Sequence, residues 1–517
     1  AIVGVNGRLP FRDRELTVTQ VSVEEDSCRE VSDRGHLIVW RADRLGMPLI
    51  ETVTEPELHT PEEVEEAILL IGRVCRSTGH VRVGPGASRQ DVNVSVRGGR
   101  RVEIKGVPQA SQAGQLVHNE AIRQVRLLEL RQELHRRGIT DPKEIAFEHR
   151  DVTELTASSQ LDALRADTWE QFLEREGRRA GFERGEGPYC VRAVRLPGLA
   201  GTLSRPCQPA LTFAHEIAGR VRVIATLDQA PVLFHGDAWP DYPGSVDELG
   251  RIRKALHCEA DDALVVIRGA TQDTLTAAEE IQIRYADAVE GIPNETRQPL
   301  EGGNTDFERI LPGPDRMYPD TDSPPQRLTR ERVEKLQVTL PEVPWVREQR
   351  YGSVGVPRGT IHFLIRRGGA GQVDRVVESC GADLKRACFF FGEELKGLRR
   401  AGVAVDEITE DRWCELFQLA TQRPVLWDAR QSLVEAMARQ PAESVADLTA
   451  KSGLDEVPGA WTETLTTEAT QCPDHLDRPA RQRYLMGKMM YRLRGRVPAA
   501  AVAEAVRRTI SDRLEET

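Results

Sequence analysis

The segment at residues 91–105 constrains the fold more than any other part of the chain. It reads DVNVSVR-GG-RRVEIK, so that valine and isoleucine alternate with polar residues on both sides of two glycines. Because successive side chains of a strand point to opposite faces, the pattern predicts a β-hairpin with one apolar and one polar face. The glycine pair supplies the turn. An exposed sheet face and a functional one would both carry the polar set, which includes Asp91, Asn93, Arg97, Glu103 and Lys105.

A second informative segment, PLIETVTEPEL at residues 48–58, places three glutamates beside prolines and a short apolar run. Carboxylates close to a core need a partner or a cation, and magnesium prefers oxygen ligands. An earlier strand is predicted at residues 15–26, either with a bulge or as two short strands, and it ends in VEED. The candidate cation site therefore combines Glu25, Glu51 and Glu55.

Two helices flank the hairpin in the sequence. Thr60, Pro61 and Glu63 form a helix-start signature with a capping box, and Gly79 ends that helix. A long amphipathic helix is predicted at about residues 113–137, where Gly138 stops it. These elements and the strands predict an α+β arrangement for the first part of the chain.

The length of 517 residues is enough for roughly three or four domains, and the composition changes along the chain. Residues 196–291 read as short α/β units and predict a compact inserted domain. Two prolines at 324–325 mark a boundary, after which the pattern is nearly all helical. We therefore predict a multidomain α+β chain with a first domain at residues 1–195, an insertion at 196–291, a helical domain at 327–475 and a basic helical tail at 476–517.

Charge and cysteine content narrow the class of protein. The net charge of −11 argues against a simple nucleic-acid binder, yet residues 478–517 hold ten Lys or Arg against four Asp or Glu. This basic end fits docking of a polyanion, although a solvated helix surface would look the same. Nine scattered cysteines without a C-x-x-C pair fit a reducing cytoplasm, and no apolar run reaches the roughly 18 residues of a membrane span.

Other chemistries find little support. RRGGAGQ at residues 366–372 resembles a phosphate loop but lacks the G-K-[ST] ending. The chain has neither an H-E-x-x-H pair nor a G-x-S-x-G elbow, and His235 reads as a half-buried structural histidine.

Three segments, in their order and spacing, resemble the catalytic cradle of the GatB/GatE family. They are VEED, RLGMPLIETVTEPEL-x-TPEE and the hairpin. YLMGKMMYRLRGRVP at residues 484–498 is similar to the C-terminal tail of that family. The insertion resembles the extra domain of bacterial-type aspartyl-tRNA synthetases, which within the family marks the archaeal type, GatE. ETR at residues 295–297 and RMYPDTDSPP at 316–325 look like the cradle resuming at 292–326.

The resemblance implies a mixed β-sheet cradle that carries out a two-step reaction. ATP phosphorylates the side chain of glutamate misacylated onto tRNA(Gln), and ammonia then displaces the phosphate to give Gln-tRNA(Gln). The implied magnesium ligands are Glu25 and Glu51, while Arg97 and Lys105 would bind ATP. The implied catalytic set is Glu55, Asp91, Asn93, Glu103 and Lys105, and the implied tRNA contacts are Lys488, Arg492, Arg494 and Arg496.

The resemblance also implies partners. Ammonia would come from a separate amidase subunit, GatD in the archaeal type, within a heterotetramer. The family places a further glutamate and histidine in an N-terminal E-[IV]-H motif that is absent here, and the chain opens AIVGVNG without methionine. We therefore expect that an N-terminal segment is missing and that the metal site is incomplete. Two alternatives stay open: a GatB-type protein, and a non-catalytic tRNA-binding scaffold of the same fold.

Overall fold

The computed structural model describes all residues except 83, 85, 173, 175–182, 184, 228, 312–326, 474 and 516–517. The predicted return of the cradle at residues 316–325 therefore lies outside the described residues. The chain divides into two compact units, one formed by residues 1–71 and 88–326, the other by residues 72–87 and 327–517.

The strands of the described residues all belong to the first unit. They are β1 Ile2–Phe11, β2 Arg14–Glu25, β3 Arg29–Arg34, β4 Leu37–Arg41, β5 Pro48–Thr54, β6 Gln90–Val94, β7 Val102–Val107, β8 Glu148–Asp151, β9 Tyr189–Leu196, β10 Pro206–Gln208, β11 Leu211–Thr212, β12 Leu233–His235, β13 Ala263–Ala270, β14 Glu295–Pro299 and β15 Thr305–Ile310.

The helices that begin within the first unit are α1 Pro61–Ser77, α2 Ala110–Arg136, α3 Thr153–Thr156, α4 Ala166–Phe172, α5 Phe213–Ile224, α6 Ser245–Ala255 and α7 Thr271–Glu290. The second unit contains α8 Arg330–Thr339, α9 Pro344–Ser353, α10 Arg358–Arg367, α11 Gly369–Cys380, α12 Leu384–Phe389, α13 Leu395–Arg400, α14 Glu410–Gln422, α15 Arg430–Arg439, α16 Val445–Lys451, α17 Trp461–Thr470, α18 Arg478–Leu493 and α19 Ala499–Glu515.

The first sheet has the antiparallel order β1-β2-β5. Strand β2 is one continuous strand, and its register against β5 shifts between Val18 and Gln20. This irregularity explains the change of phase in the apolar pattern, because an extra residue moves the following side chains to the other face. Leu16 and Val18 are buried before the shift, whereas Val23 is exposed after it.

The predicted hairpin forms β6 and β7, but its first strand is shorter than the alternation indicates. Val94 faces Val102, and the strand ends there rather than at Arg97. At this point the side chain of Gln124 from α2 forms hydrogen bonds with the backbone of the first strand. Its amide nitrogen donates to the Val94 carbonyl at 3.0 Å, and its amide oxygen accepts from Val96 N–H at 3.1 Å. A side chain from a distant helix thus replaces the last rung of the ladder.

The hairpin belongs to a four-stranded sheet of order β15-β14-β7-β6. Strand β14 runs parallel to β7, with Thr296 opposite Glu103 and Arg297 opposite Ile104, while the other pairs are antiparallel. The sheet is therefore mixed, and it joins the N-terminal hairpin to strands that follow the predicted insertion.

A second four-stranded sheet has the antiparallel order β12-β13-β9-β8. Strand β13 is buried along its whole length and pairs with all eight residues of β9. Because β8 and β9 belong to this sheet, it begins at Glu148, well before the predicted boundary at 195/196. Apolar side chains of α2, α5 and α7 pack on one side of it, including Leu134, Phe213 and Ile281.

A fully buried ion network lies within this unit, and its members are not evident from the sequence. Arg123 of α2 donates to Glu120 at 2.8 Å and to Glu216 of α5 at 2.7 Å. Arg297 of β14 donates to Glu216 at 3.0 Å and to Glu295 at 2.8 Å. The full set comprises Arg123, Arg284 and Arg297 with Glu120, Glu216 and Glu295.

The second unit is helical in its described part and has two apolar cores. The larger core spans α9 to α16 and contains a group of edge-on aromatic contacts around Phe390, whose ring centroid lies 5.6 Å from that of Trp413. The smaller core joins α17, α18 and α19 through Leu465, Leu485 and Val502. In α19, Val502, Val506 and Ile510 lie on the face that packs into this core.

Within the part of the chain that the structure describes, every helix is too short or too polar to cross a membrane. The mixed and antiparallel sheets followed by helices confirm the predicted multidomain α+β class.

Candidate active site

The candidate site lies on one face of the sheet that β2 and β5 form. Ser22 of β2 lies directly opposite Glu51 of β5, and Glu24 follows two residues later on the same face. The Ser22 hydroxyl lies 3.2 Å from Glu51 Oε2 and 3.4 Å from Glu24 Oε1. One hydroxyl is thus shared between two neighbouring carboxylates. Together with Asp91, the two glutamates are called the carboxylate cluster below.

Electrostatic repulsion within the carboxylate cluster is visible in the pKa of Glu51. Partial burial of the carboxyl group and the negative charge of Glu24 raise this pKa, and the charge of Asp91 adds to the effect. The hydrogen bond from Ser22 opposes the rise. A carboxylate in this state gains from any nearby cation, because the cation relieves the repulsion that burial strengthens.

Glu25 does not join this face. It lies opposite Pro48, and strand alternation turns its side chain away from the side that carries Ser22 and Glu24. Among the described contacts, none links Glu25 to Glu51. The structure therefore brings Glu24, rather than Glu25, to Glu51, although both belong to the same acidic run.

The last acid of VEED has a structural role. Asp26 is buried and forms ion pairs with Arg44 and, at 2.9 Å, with Arg89. Burial would raise the pKa of Asp26, but the two guanidinium groups outweigh it and lower the pKa. Because Arg89 directly precedes β6, this ion pair holds the start of the hairpin beside the end of β2.

The hairpin contributes the basic side of the site. Lys105 Nζ donates to Asp91 Oδ2 and to Glu103 Oε1, both at 3.0 Å. Burial lowers the pKa of Lys105, yet the hydrogen bonds to the two carboxylates outweigh it and raise the pKa. Lys105 therefore stays charged at neutral pH. Asn93 lies on the adjoining strand opposite Glu103.

Two further predicted residues lie at the edges. Arg97 is exposed in the loop after β6 has ended, so it is not on the strand face with Lys105. Glu55 follows the end of β5 and accepts a hydrogen bond from Thr19 Oγ1 at 3.3 Å. Among the contacts described for these two residues, none connects them to Glu51.

Glu57 of the acidic segment and Glu63 of α1 make structural contacts. Glu57 accepts from the backbone N–H of Thr17 at 2.8 Å and from its hydroxyl at 2.9 Å. The predicted capping box of α1 is half formed: the Thr60 hydroxyl accepts from Glu63 N–H, but the Glu63 carboxylate accepts from His59 N–H instead of closing on Thr60. Of this acidic segment, Glu51 is the residue that joins the carboxylate cluster.

The four predicted tRNA contacts lie at the end of α18 and just beyond it. Lys488, Arg492 and Arg494 are all exposed, and Arg492 also pairs with the buried Glu468 at 3.0 Å. Arg496 donates to the Ser452 carbonyl at 3.3 Å. Lys488 and Arg494, which form none of the described ion pairs, are therefore the freest to meet an external anion.

Comparison with known proteins adds to this geometry. The family described as GatB/GatE catalytic domain matches residues 2–334, a range that includes the carboxylate cluster and the hairpin. The chain belongs to the GatB/GatE family. This confirms the family predicted from the sequence.

Curated relatives in the GatB/GatE family cover most of the chain. The E subunit of glutamyl-tRNA(Gln) amidotransferase from Pyrococcus furiosus is 31% identical over 88% of this chain and 68% of its own length. The corresponding proteins of Thermococcus gammatolerans and Saccharolobus solfataricus, which carry the same name, are each 30% identical, over 99% and 100% of this chain and 78% and 79% of their own. These archaeal names agree with the predicted GatE side of the family rather than GatB.

The oxygen-rich composition of the site fits a magnesium ion. Within the described residues, no group of three or more His, Cys, Asp or Glu side chains is arranged to hold a metal. Magnesium is commonly held by only one or two carboxylates together with waters and substrate phosphates. Glu24 and Glu51, with a shared hydroxyl between them and a raised pKa on Glu51, provide such a pair.

Ser22 and Glu24 are members of the site that the sequence did not lead us to expect in this GatB/GatE protein. That these two share a face follows from strand spacing, because residues two apart point to the same side. The acidic run and the family resemblance both pointed to Glu25, and strand alternation alone does not decide between Glu24 and Glu25 before the partner strand is known.

Proposed function

We propose that this chain is the transferring subunit of a tRNA-dependent amidotransferase that converts Glu-tRNA(Gln) to Gln-tRNA(Gln). The observation that carries the proposal is the family match over residues 2–334, which contains both the carboxylate cluster and the basic hairpin. The names of the curated archaeal relatives support the same reaction. The activity is that of a carbon–nitrogen ligase.

The chemistry explains why acids and a base are needed on one surface. A carboxylate is a poor acceptor for ammonia, so the side chain of the tRNA-bound glutamate first takes a phosphoryl group from ATP. Ammonia then attacks the carbonyl carbon, and phosphate leaves with the electron pair of the bond that breaks. Such a transfer depends mainly on positioning and on neutralising negative charge.

Residues of the carboxylate cluster have the metal-binding role in this proposal. Glu24 and Glu51 would hold magnesium, which when bound neutralises charge on the nucleotide phosphates. Glu25, the ligand predicted from resemblance, is the competing choice. The raised pKa of Glu51 supports a cation partner, because a bound cation would relieve its repulsion with Glu24.

The hairpin would bind the nucleotide. Lys105 carries a positive charge beside the carboxylate cluster, so we assign it to a phosphate oxygen, with Arg97 reaching the same group from the loop. Asp91 and Glu103 position Lys105 through their 3.0 Å hydrogen bonds. Asn93 and Glu55 would line the side where glutamate and ammonia enter.

Partners follow from the reaction. Free ammonia is mostly protonated at neutral pH, so an amidase of the GatD kind would supply it, in a heterotetramer of two such pairs. Lys488, Arg492, Arg494 and Arg496 would contact the tRNA backbone and make binding salt-dependent. Translation enzymes of this kind work in the cytoplasm, where nine unpaired thiols stay reduced.

The decisive experiment measures ADP formed from ATP in the presence of magnesium and Glu-tRNA(Gln). ADP that appears only with this tRNA supports the proposal, and its absence with the assembled enzyme would contradict it. Glu51→Gln removes a charge from the carboxylate cluster, so we expect ADP formation to fall by roughly 100-fold or more while tRNA binding is kept.

A matched pair of substitutions then decides the second ligand. Glu24→Gln and Glu25→Gln remove the same charge from adjacent residues on opposite faces of β2. We expect Glu24→Gln to raise the magnesium concentration needed for half-maximal activity by about ten-fold, and Glu25→Gln to change it little. The reverse result would restore Glu25 as the ligand.

A further inference from the structure

Tyr491 is an unusual residue on the surface of the tail. It is 90% exposed, more than any other large apolar or aromatic side chain described in the chain. Among the described residues between Trp461 and Ser511, it is also the one large hydrophobic side chain that is exposed. Aromatic rings normally bury a large area, so a ring left open in this way is available to a ligand.

The surroundings of Tyr491 are basic rather than apolar. Tyr484, Lys488 and Tyr491 are spaced four and three residues apart on α18 and therefore share a face of the helix. The ammonium group of Lys488 lies 5.7 Å from the centre of the Tyr484 ring. Exposed Arg494 follows at the end of the helix. The open ring therefore has a lysine three residues before it and an exposed arginine three residues after it in the sequence.

A glycine keeps this face clear. Gly487 is one turn before Tyr491, in the interior of α18, and a Cβ atom added there would meet nothing within 4 Å. Glycine in a helix interior costs about 1 kcal/mol relative to alanine, and here no close packing requires it. Helical side chains lean toward the N-terminus of the helix, so Tyr491 leans toward Gly487. A larger residue at position 487 would cover one side of the ring.

We propose that Tyr491 is a stacking platform for an unpaired base of the bound tRNA. A protein partner would require a contiguous apolar patch, whereas a single exposed ring on a helix end that also carries exposed cations matches the pattern of nucleic-acid binding, in which bases stack on aromatic rings and cations contact phosphates. This inference rests on the proposed tRNA-dependent function and adds a base contact to the four predicted backbone contacts.

The test compares binding of a tRNA(Gln) transcript to the full chain and its variants over a range of salt concentrations. Tyr491→Ala should raise the dissociation constant by about ten-fold, because one base loses its stacking partner. Its salt dependence should stay unchanged, since no phosphate contact is lost. Lys488→Ala should instead reduce the slope of log affinity against log salt by about one.

Three further variants and one neutral control separate stacking from other roles. Tyr491→Phe keeps the ring and should bind like the unmodified chain. Gly487→Leu should weaken binding as Tyr491→Ala does, whereas Gly487→Ala should bind normally. Val457→Ala, which alters another exposed apolar residue of the second unit, serves as the neutral control.

Failure of the stacking role and failure of the proposed function would give different binding results. Unchanged binding by Tyr491→Ala, or equal loss in Tyr491→Phe, would overturn the stacking role while leaving the proposed function intact. Failure of the unmodified chain to bind the transcript would count against the tRNA-dependent function itself and would overturn both.

Discussion

The carboxylate cluster and the buried ion network both concentrate acidic residues in the first unit, but their carboxylates have different hydrogen-bond and ion-pair partners. In the network, three arginines face three glutamates, and Arg123 and Arg297 each donate to more than one carboxylate. In the carboxylate cluster, Glu24 and Glu51 share one serine hydroxyl, and Lys105 is bound to Asp91 and Glu103.

The difference is expressed in the pKa of one glutamate from each region. Burial would raise the pKa of Glu216 in the network, but the charges of Arg297, Arg123 and Arg284 outweigh it and lower the pKa. Burial and Glu24 raise the pKa of Glu51. A buried set of carboxylates that is balanced by arginines stabilises the fold. A set of exposed carboxylates with excess negative charge can bind a cation instead.

Breaking the buried network should have the largest effect. Arg297→Met leaves Glu216 and Glu295 without one of their cations, and the loss of one partner from a buried ion pair costs about 3–5 kcal/mol. The free energy of unfolding in urea should fall by this amount. Arg126→Ala, which removes an exposed ion pair of α2, should change it by less than about 1 kcal/mol. Equal effects would show that the network is no more important than a surface pair.

Removing Lys105, the basic residue beside the carboxylate cluster, should lower activity more than stability. Lys105→Met takes away the cation that lies between Asp91 and Glu103, so we expect kcat/KM for ATP to fall by roughly 100-fold. The unfolding temperature should change little. Arg100→Ala removes the same charge from the exposed hairpin loop and provides the control. A similar loss in both variants would indicate a general charge effect and not a specific contact.

The smallest effect concerns pH. Because the pKa of Glu51 is raised in the folded protein, its charged form opposes folding at neutral pH, and this opposition disappears as the pH falls through the raised pKa toward the ordinary 4.5. Glu51→Gln should therefore raise the unfolding temperature slightly at neutral pH, and the gain should vanish in acid.

A control of opposite sign is available on the same segment. Hydrogen bonds from Thr17 lower the pKa of Glu57, so its charged form supports folding above its ordinary pKa and the support is lost as the pH falls. Glu57→Gln should lower the unfolding temperature at neutral pH, with a smaller loss in acid. Parallel behaviour of the two variants would contradict the assignment of repulsion to Glu51.

Much of the fold could be predicted from the sequence because local patterns fix it. The alternation of Val92 and Val94 predicted a strand, and Thr60 and Gly138 marked a helix start and a helix end. The early end of β6 could not be predicted, since it depends on Gln124 from a distant helix. Long-range side-chain contacts leave no local pattern.

The same limit applies to the site. The sequence identified the strands and the acidic run, and Glu51 follows from both. Whether Glu24 or Glu25 faces Glu51 depends on the register between β2 and β5, and that register includes a shift. The buried network is equally hidden, because Arg123, Glu216 and Arg297 come from three separate elements.

The parallel pairing of β14 with β7 also bears on how the chain reaches its folded state. Glu103 and Lys105 lie on β7, and one of its two neighbours, β14, is made only after the whole of the second sheet and its helices have been synthesised. Contacts this far apart in sequence form late, because a long loop must close first. During synthesis the hairpin would keep one edge open until β14 is made, so its sheet would be completed only after the second sheet has been synthesised.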